Sequence, residues 1–103
     1  MKSGVYILIN ETKSTDELLE VKIGCSKDTY KRSKDVIKAC RFSGIKTDLQ
    51  VFCIINCIRY RIMEKHIHLL LSKYKYQGEW YKCSENELNV VLMELDLSYY
   101  NKK

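Results

Sequence analysis

The chain has 103 residues, 46% of them apolar and 30% charged. That length suits one domain with one modest core, and that balance excludes a disordered or low-complexity chain. No apolar run approaches the roughly 20 residues of a membrane-spanning helix, and a formal net charge of +5 points toward an anionic partner.

Met1-Lys2-Ser3-Gly4 leads directly into Val5-Tyr6-Ile7-Leu8-Ile9, a β-branched and aromatic run that reads as a strand. This opening lacks the longer apolar stretch and small-residue cleavage site of a secretory leader. The expected location is therefore intracellular, and the five cysteines, an odd number, are expected to be reduced thiols. Asn10 to Leu18 is polar and reads as a connection. Leu19 to Gly24 reads as a second strand, antiparallel to the first. Gly24 then reads as a break that frees the backbone to turn toward a helix. Ser26 or Asp28 would cap that helix, with Tyr30, Ser33, Ile37 and Cys40 along its inner face and Gly44 at its end.

Leu49 to Cys57 is apolar and without charge, and reads as a buried third strand. A helix from about Arg59 to Tyr74 follows. Met63, Ile67, Leu70, Leu71 and Tyr74 give it one apolar stripe. Gln77-Gly78 breaks the stripe, and Trp80-Tyr81 forms a short extended piece. Ser84 and Glu87 have the spacing of a capping box, ahead of a last helix whose apolar face is Leu88, Val91, Leu92 and Leu95. Two strands precede the first helix, so the order β-β-α-β-α-α favours an α+β fold: a small three-stranded, mostly antiparallel sheet flanked by helices. Residues 1–98 read as a single domain and 99–103 as a short, frayed polar tail.

Between Lys27 and Lys46, seven basic residues oppose two aspartates, an excess equal to that of the whole chain. Lys27, Lys31, Lys34, Lys38 and Arg41 are accordingly the candidate nucleic-acid contacts, although the same spacing suits a merely solvated helix face. Five residues suggest chemistry. Strand pairing would bring Lys22 near Tyr6, where an ammonium would favour the phenolate and lower the tyrosine pKa. Arg32 offers a planar fork that grips phosphate oxygens. Glu64 and His68, four apart, share a helix face. Cys53, Cys57, His66 and His68 raise the question of zinc, but their spacing matches no common zinc site.

Gly4-Val5-Tyr6, Lys22-Ile23-Gly24, Arg32 and Glu64, in that order, resemble the GIY-YIG nuclease superfamily. The resemblance is to the branch, frequent in phages and large DNA viruses, whose second motif reads KIG. Glu64 with His68, and Gly78-Glu79-Trp80-Tyr81, match further features of that branch. Lys22 stands where the superfamily name has its second tyrosine. The resemblance implies a metal-dependent DNA endonuclease that hydrolyses phosphodiester bonds, structure- or weakly sequence-selective. It implies Glu64 as the ligand of Mg²⁺ or Mn²⁺ and Arg32 as the stabiliser of phosphate charge. Tyr6 or His68 would be the base, and Lys22 would assist. The competing expectation is a non-catalytic nucleic-acid-binding module on the same fold. DNA is the expected partner, with no membrane, and either a monomer or a homodimer is compatible with the sequence.

Overall fold

A computed structural model describes residues 1–42 and 48–102. Gly44, expected to end the first helix, and Lys46, in the basic window, lie outside the described residues. Five strands form one antiparallel sheet: β1 (Gly4–Asn10), β2 (Leu19–Ser26), β3 (Leu49–Asn56), β4 (Lys75–Gln77) and β5 (Trp80–Cys83). Their order is β3-β1-β2-β5-β4. Among the described residues, four α-helices accompany them: α1 (Thr29–Phe42), α2 (Tyr60–Leu70), α3 (Glu85–Met93) and α4 (Leu97–Tyr100). The α+β class stands, but the expected three-stranded sheet is wrong. The missed strand is β4, which forms a hairpin with β5, read from the sequence only as a short extended piece at Trp80-Tyr81 and not as part of the sheet. β4 is three residues long and fully exposed, so it carries no apolar alternation by which a strand is read. The hairpin turn is Gly78-Glu79, and Gly78 has φ +55°, a conformation that favours glycine.

The two faces of the sheet are unequally covered. Val5, Ile7, Val21, Ile23, Tyr81 and Cys83 point to one face, where they meet Met63, Ile67 and Leu71 of the second helical region and Leu88 and Val91 of α3. The stripe read from the sequence therefore packs as expected, and each fully buried aliphatic side chain contributes about 1.5–3 kcal/mol. The helix itself ends sooner than expected, at Leu70, and a 3-10 turn over Ser72–Tyr74 completes the segment. The capping box of α3 is present: Ser84 accepts from the Glu87 N–H at 3.0 Å, and the Glu87 carboxylate accepts from the Ser84 N–H at 2.9 Å.

On the other face, Tyr6, Leu8 and Leu49 lie beneath Val36, Ile37 and Cys40 of α1. Asp28 caps this helix, its carboxylate accepting from the Lys31 N–H at 3.2 Å. Thr29 and Ser33 turn inward and are buried, whereas Tyr30, expected on that face, is 64% exposed. One residue along a helix rotates a side chain by about 100°, so an inward Thr29 sends Tyr30 out. β3 also departs from expectation. It is an edge strand rather than a buried one, and only Leu49 is fully enclosed. Part of the segment read as a frayed tail is ordered by packing. Tyr100 is buried, and its hydroxyl lies 2.7 Å from His66 Nδ1.

Candidate active site

The site begins with a register. In the β1–β2 pair Tyr6 faces Gly24 directly, and Leu8 faces Lys22. Cross-strand partners share a face, so Tyr6 lies diagonally beside Lys22 and its ring lies over Gly24. A Cβ on Gly24 would stand 2.3 Å from the Tyr6 ring carbon Cζ and 2.3 Å from its oxygen. Gly24 sits inside β2 and not at a turn. It is glycine because the tyrosine occupies the space that a side chain would need, which corrects the reading of a backbone break. Gly4 has a related role against the other neighbour, since a Cβ there would meet the Ile55 carbonyl oxygen of β3 at 2.2 Å.

β5 pairs with β2 only as far as Lys22–Trp80. Beyond that pair, Ile23 to Ser26 has no β5 partner, and the sheet has a notch. Groups from both faces come within electrostatic reach there. Arg32, exposed near the start of α1, brings its positive charge close enough to the Tyr6 hydroxyl to favour the phenolate. Glu64 projects from α2, with its side chain 29% exposed, and its carboxylate lies near enough to the Cys25 thiol to raise that thiol's pKa. Its Oε1 lies 4.0 Å from His68 Nε2. His68 Nδ1 in turn lies 2.5 Å from the Tyr81 hydroxyl. Lys22 Nζ closes the arrangement with an ion pair to Glu79 Oε2 at 2.5 Å.

All five residues singled out for chemistry, Tyr6, Lys22, Arg32, Glu64 and His68, thus border one notch. The electrostatics differ from expectation. The Tyr6 pKa is raised above 10.0, because burial opposes the phenolate more strongly than Arg32 and Lys22 favour it. The lysine lies diagonally rather than directly opposite, and its charge is engaged by Glu79. The Cys25 thiol is pushed up to about 11 by burial and by the Glu64 carboxylate, so it stays protonated and is no nucleophile. Burial also raises the Tyr81 pKa, helped by the charges of Glu64 and Glu79.

Sequence reasoning misses three partners. Cys25 is read only as one of the five reduced thiols. Glu79 and Tyr81 are visible as members of the Gly78-Glu79-Trp80-Tyr81 run but have no role that the sequence assigns. The structure supplies one: Gly78 turns the chain, Glu79 pairs with Lys22, and Tyr81 orients His68. No local signal in the sequence links Cys25 to Glu64, which lies 39 positions away.

The basic candidates Lys27, Lys31, Lys34, Lys38 and Arg41 are all exposed. Four of them, from Lys31 to Arg41, follow three- and four-residue steps along α1 and so form one stripe. A shallow groove of about 470 Å³ runs between Lys34, Ile37, Lys38 and Arg41. A single partly exposed carboxylate is a chemically suitable ligand for Mg²⁺, which keeps several waters and takes one or two carboxylates plus substrate phosphate. Among the described residues, no three His, Cys, Asp or Glu side chains are placed to hold a metal between them, and no helix is long and apolar enough to cross a membrane.

Over 86 residues the chain is 37% identical to uncharacterized protein 460R of Invertebrate iridescent virus 6; the match covers 80% of this chain and 35% of that protein. The chain thus spans about a third of the length of this relative. No solved structure matches it significantly. The model of the T5orf172 domain matches residues 3–96, which include every residue of the notch, and the chain therefore belongs to the T5orf172 domain family, a phage-associated group linked with nuclease and DNA-binding functions.

Proposed function

We propose that this domain is a metal-dependent DNA endonuclease of GIY-YIG type, hydrolysing phosphodiester bonds with structural or weak sequence selectivity. The observation that carries the reading is the meeting of Tyr6, Arg32, Glu64 and His68 at one notch, with a basic helix beside it. Arg32 holds the scissile phosphate and offsets the charge that grows on it. Arg32 lies within electrostatic reach of the Tyr6 hydroxyl, and Tyr6 would help to orient that guanidinium. Its raised pKa makes it a proton-bearing positioning group at neutral pH rather than the base.

His68 is the better base. In the tautomer whose Nδ1–H donates to Tyr81, Nε2 carries a lone pair beside Glu64 and accepts the proton of the attacking water. Mg²⁺ or Mn²⁺ held by Glu64 would supply Lewis-acid polarisation of the phosphate. Lys22, anchored by Glu79, adds positive potential near Tyr6.

The test is a cleavage assay on supercoiled plasmid, single strands and branched junctions, with and without Mg²⁺. Glu64→Ala and Arg32→Ala should each abolish cutting while the protein stays folded. Metal-dependent cutting by a folded Glu64→Ala protein would overturn the site. The exposed basic stripe of α1 also suits a binding module without chemistry, and salt-sensitive binding with no cleavage of any of these DNAs would favour that reading.

A further inference from the structure

Among the described residues, a single helix covers the Tyr6 face of the five-stranded sheet. α1 packs on β3, β1 and β2, and Trp80 lies against the rim of that contact with Tyr6 and Leu8. Toward β5 and β4 the face opens into a cleft of about 430 Å³. Its walls are aromatic and charged, with Glu79 among them, ion-paired to Lys22. Trp80 is half-buried and Tyr76 is 42% exposed. The Lys22 ammonium lies 5.6 Å from the Trp80 ring centroid, and the Lys82 ammonium lies 4.8 Å from that of Tyr76. Lys13 stands at the rim.

The floor is a buried carboxylate. Glu20 is 2% exposed and Asn10 beside it 1%. The Asn10 amide donates to Glu20 Oε1 at 3.1 Å, and the Tyr76 hydroxyl donates to Oε2. A carboxylate has about four lone-pair sites, and these two bonds occupy two of them. Aromatic faces, the Lys13 and Lys82 ammoniums for a flanking phosphate and a buried acceptor for an exocyclic amino group together match one ligand chemistry, an amino-bearing nucleobase. Lys22 borders both the cleft and Tyr6, so a base seated here belongs to a nucleotide adjoining the phosphate at Arg32. A base inside a duplex is already stacked and cannot present its face.

We infer that the cleft between Trp80 and Tyr76 binds an unpaired nucleobase, so that the substrate class is single-stranded or locally unpaired nucleic acid rather than continuous duplex. This rests on the proposed nuclease reading for the position of the phosphate, but its test does not depend on cleavage. Trp80 is the chain's single tryptophan and reports directly on stacking. In metal-free buffer, a short oligo(dA) strand should quench its fluorescence, whereas an abasic strand of equal length and the matching duplex should leave it nearly unchanged. In anisotropy titrations with labelled oligo(dA), Trp80→Leu should weaken binding about 5- to 100-fold, and Trp80→Phe should restore most of it. Equal quenching by the abasic strand, or wild-type affinity of a folded Trp80→Leu protein, would overturn the inference. Failure of the nuclease reading would appear separately, as absent cleavage with metal while quenching persists.

Discussion

Gly24→Ala tests the central packing claim. The added methyl would stand 2.3 Å from the Tyr6 Cζ and oxygen, against an ordinary carbon contact of about 3.5 Å. The ring must therefore move by about 1 Å. It has little room to do so, because Tyr6 is 4% exposed and packed among Leu8, Leu49 and Trp80. Overpacking of this kind costs about 1–3 kcal/mol. Alanine returns part of that, about 0.4–1 kcal/mol, by restricting the unfolded chain. The expected net loss is about 1–2 kcal/mol, a fall in melting temperature of roughly 5–15 °C for a domain of this size. Thermal melts of four proteins measure it: wild type, Gly24→Ala, Tyr6→Leu and the double variant. Leucine lacks the clashing atoms, so Gly24→Ala should cost little or nothing in the Tyr6→Leu background, giving a coupling of about 1–2 kcal/mol. If Gly24→Ala melts at or above wild type, or costs the same in both backgrounds, the Tyr6 ring is not what keeps position 24 a glycine. Under the proposed nuclease reading the same variant should cut about a hundredfold more slowly, because a 1 Å misplacement disturbs the tyrosine–arginine contact.

Ser84→Ala removes the N-cap of α3 and should destabilise the protein by about 1 kcal/mol in a denaturant titration; an unchanged midpoint would mean that α3 is held by packing alone. The Ser84 N–H and the Tyr74 hydroxyl hold the Glu87 carboxyl below its ordinary value of 4.5. A depressed native pKa gives stability that is present above 4.5 and lost as pH falls through the native value. Melting temperatures should therefore drop in that acid window, and the drop should shrink in Glu87→Gln. Replacing Lys31, Lys34 and Arg41 together by alanine should lower the salt dependence of DNA binding by about 2–3 in the log–log slope, measured by anisotropy across a salt series; an unchanged slope would remove α1 from the interface.

The amino-acid pattern by itself determined a good deal. Periodicity marked α2 and its buried stripe, because a 3.6-residue repeat of large apolar side chains has few other solutions. Ser84 and Glu87 announced their own cap, because capping is a contact between residues three apart. The ordered motif from Gly4 to Glu64 named the residues that meet at the notch. What it could not supply was anything set by pairing across the sheet. β4 is too short and too polar to signal itself, so it escapes a reading of the sequence, and Trp80-Tyr81 is legible only as a short extended piece whose place in the sheet is set by pairing. Whether Gly24 turns the chain or makes space for Tyr6 depends on β1–β2 register, which no local spacing encodes. The Tyr6 pKa moves opposite to expectation because burial beneath α1 is a tertiary quantity, and it outweighs two cations that the sequence does reveal. The notch itself exists only because β5 stops pairing at Lys22, which lets Glu64 from one face of the sheet come within reach of Tyr6 and Arg32 from the other.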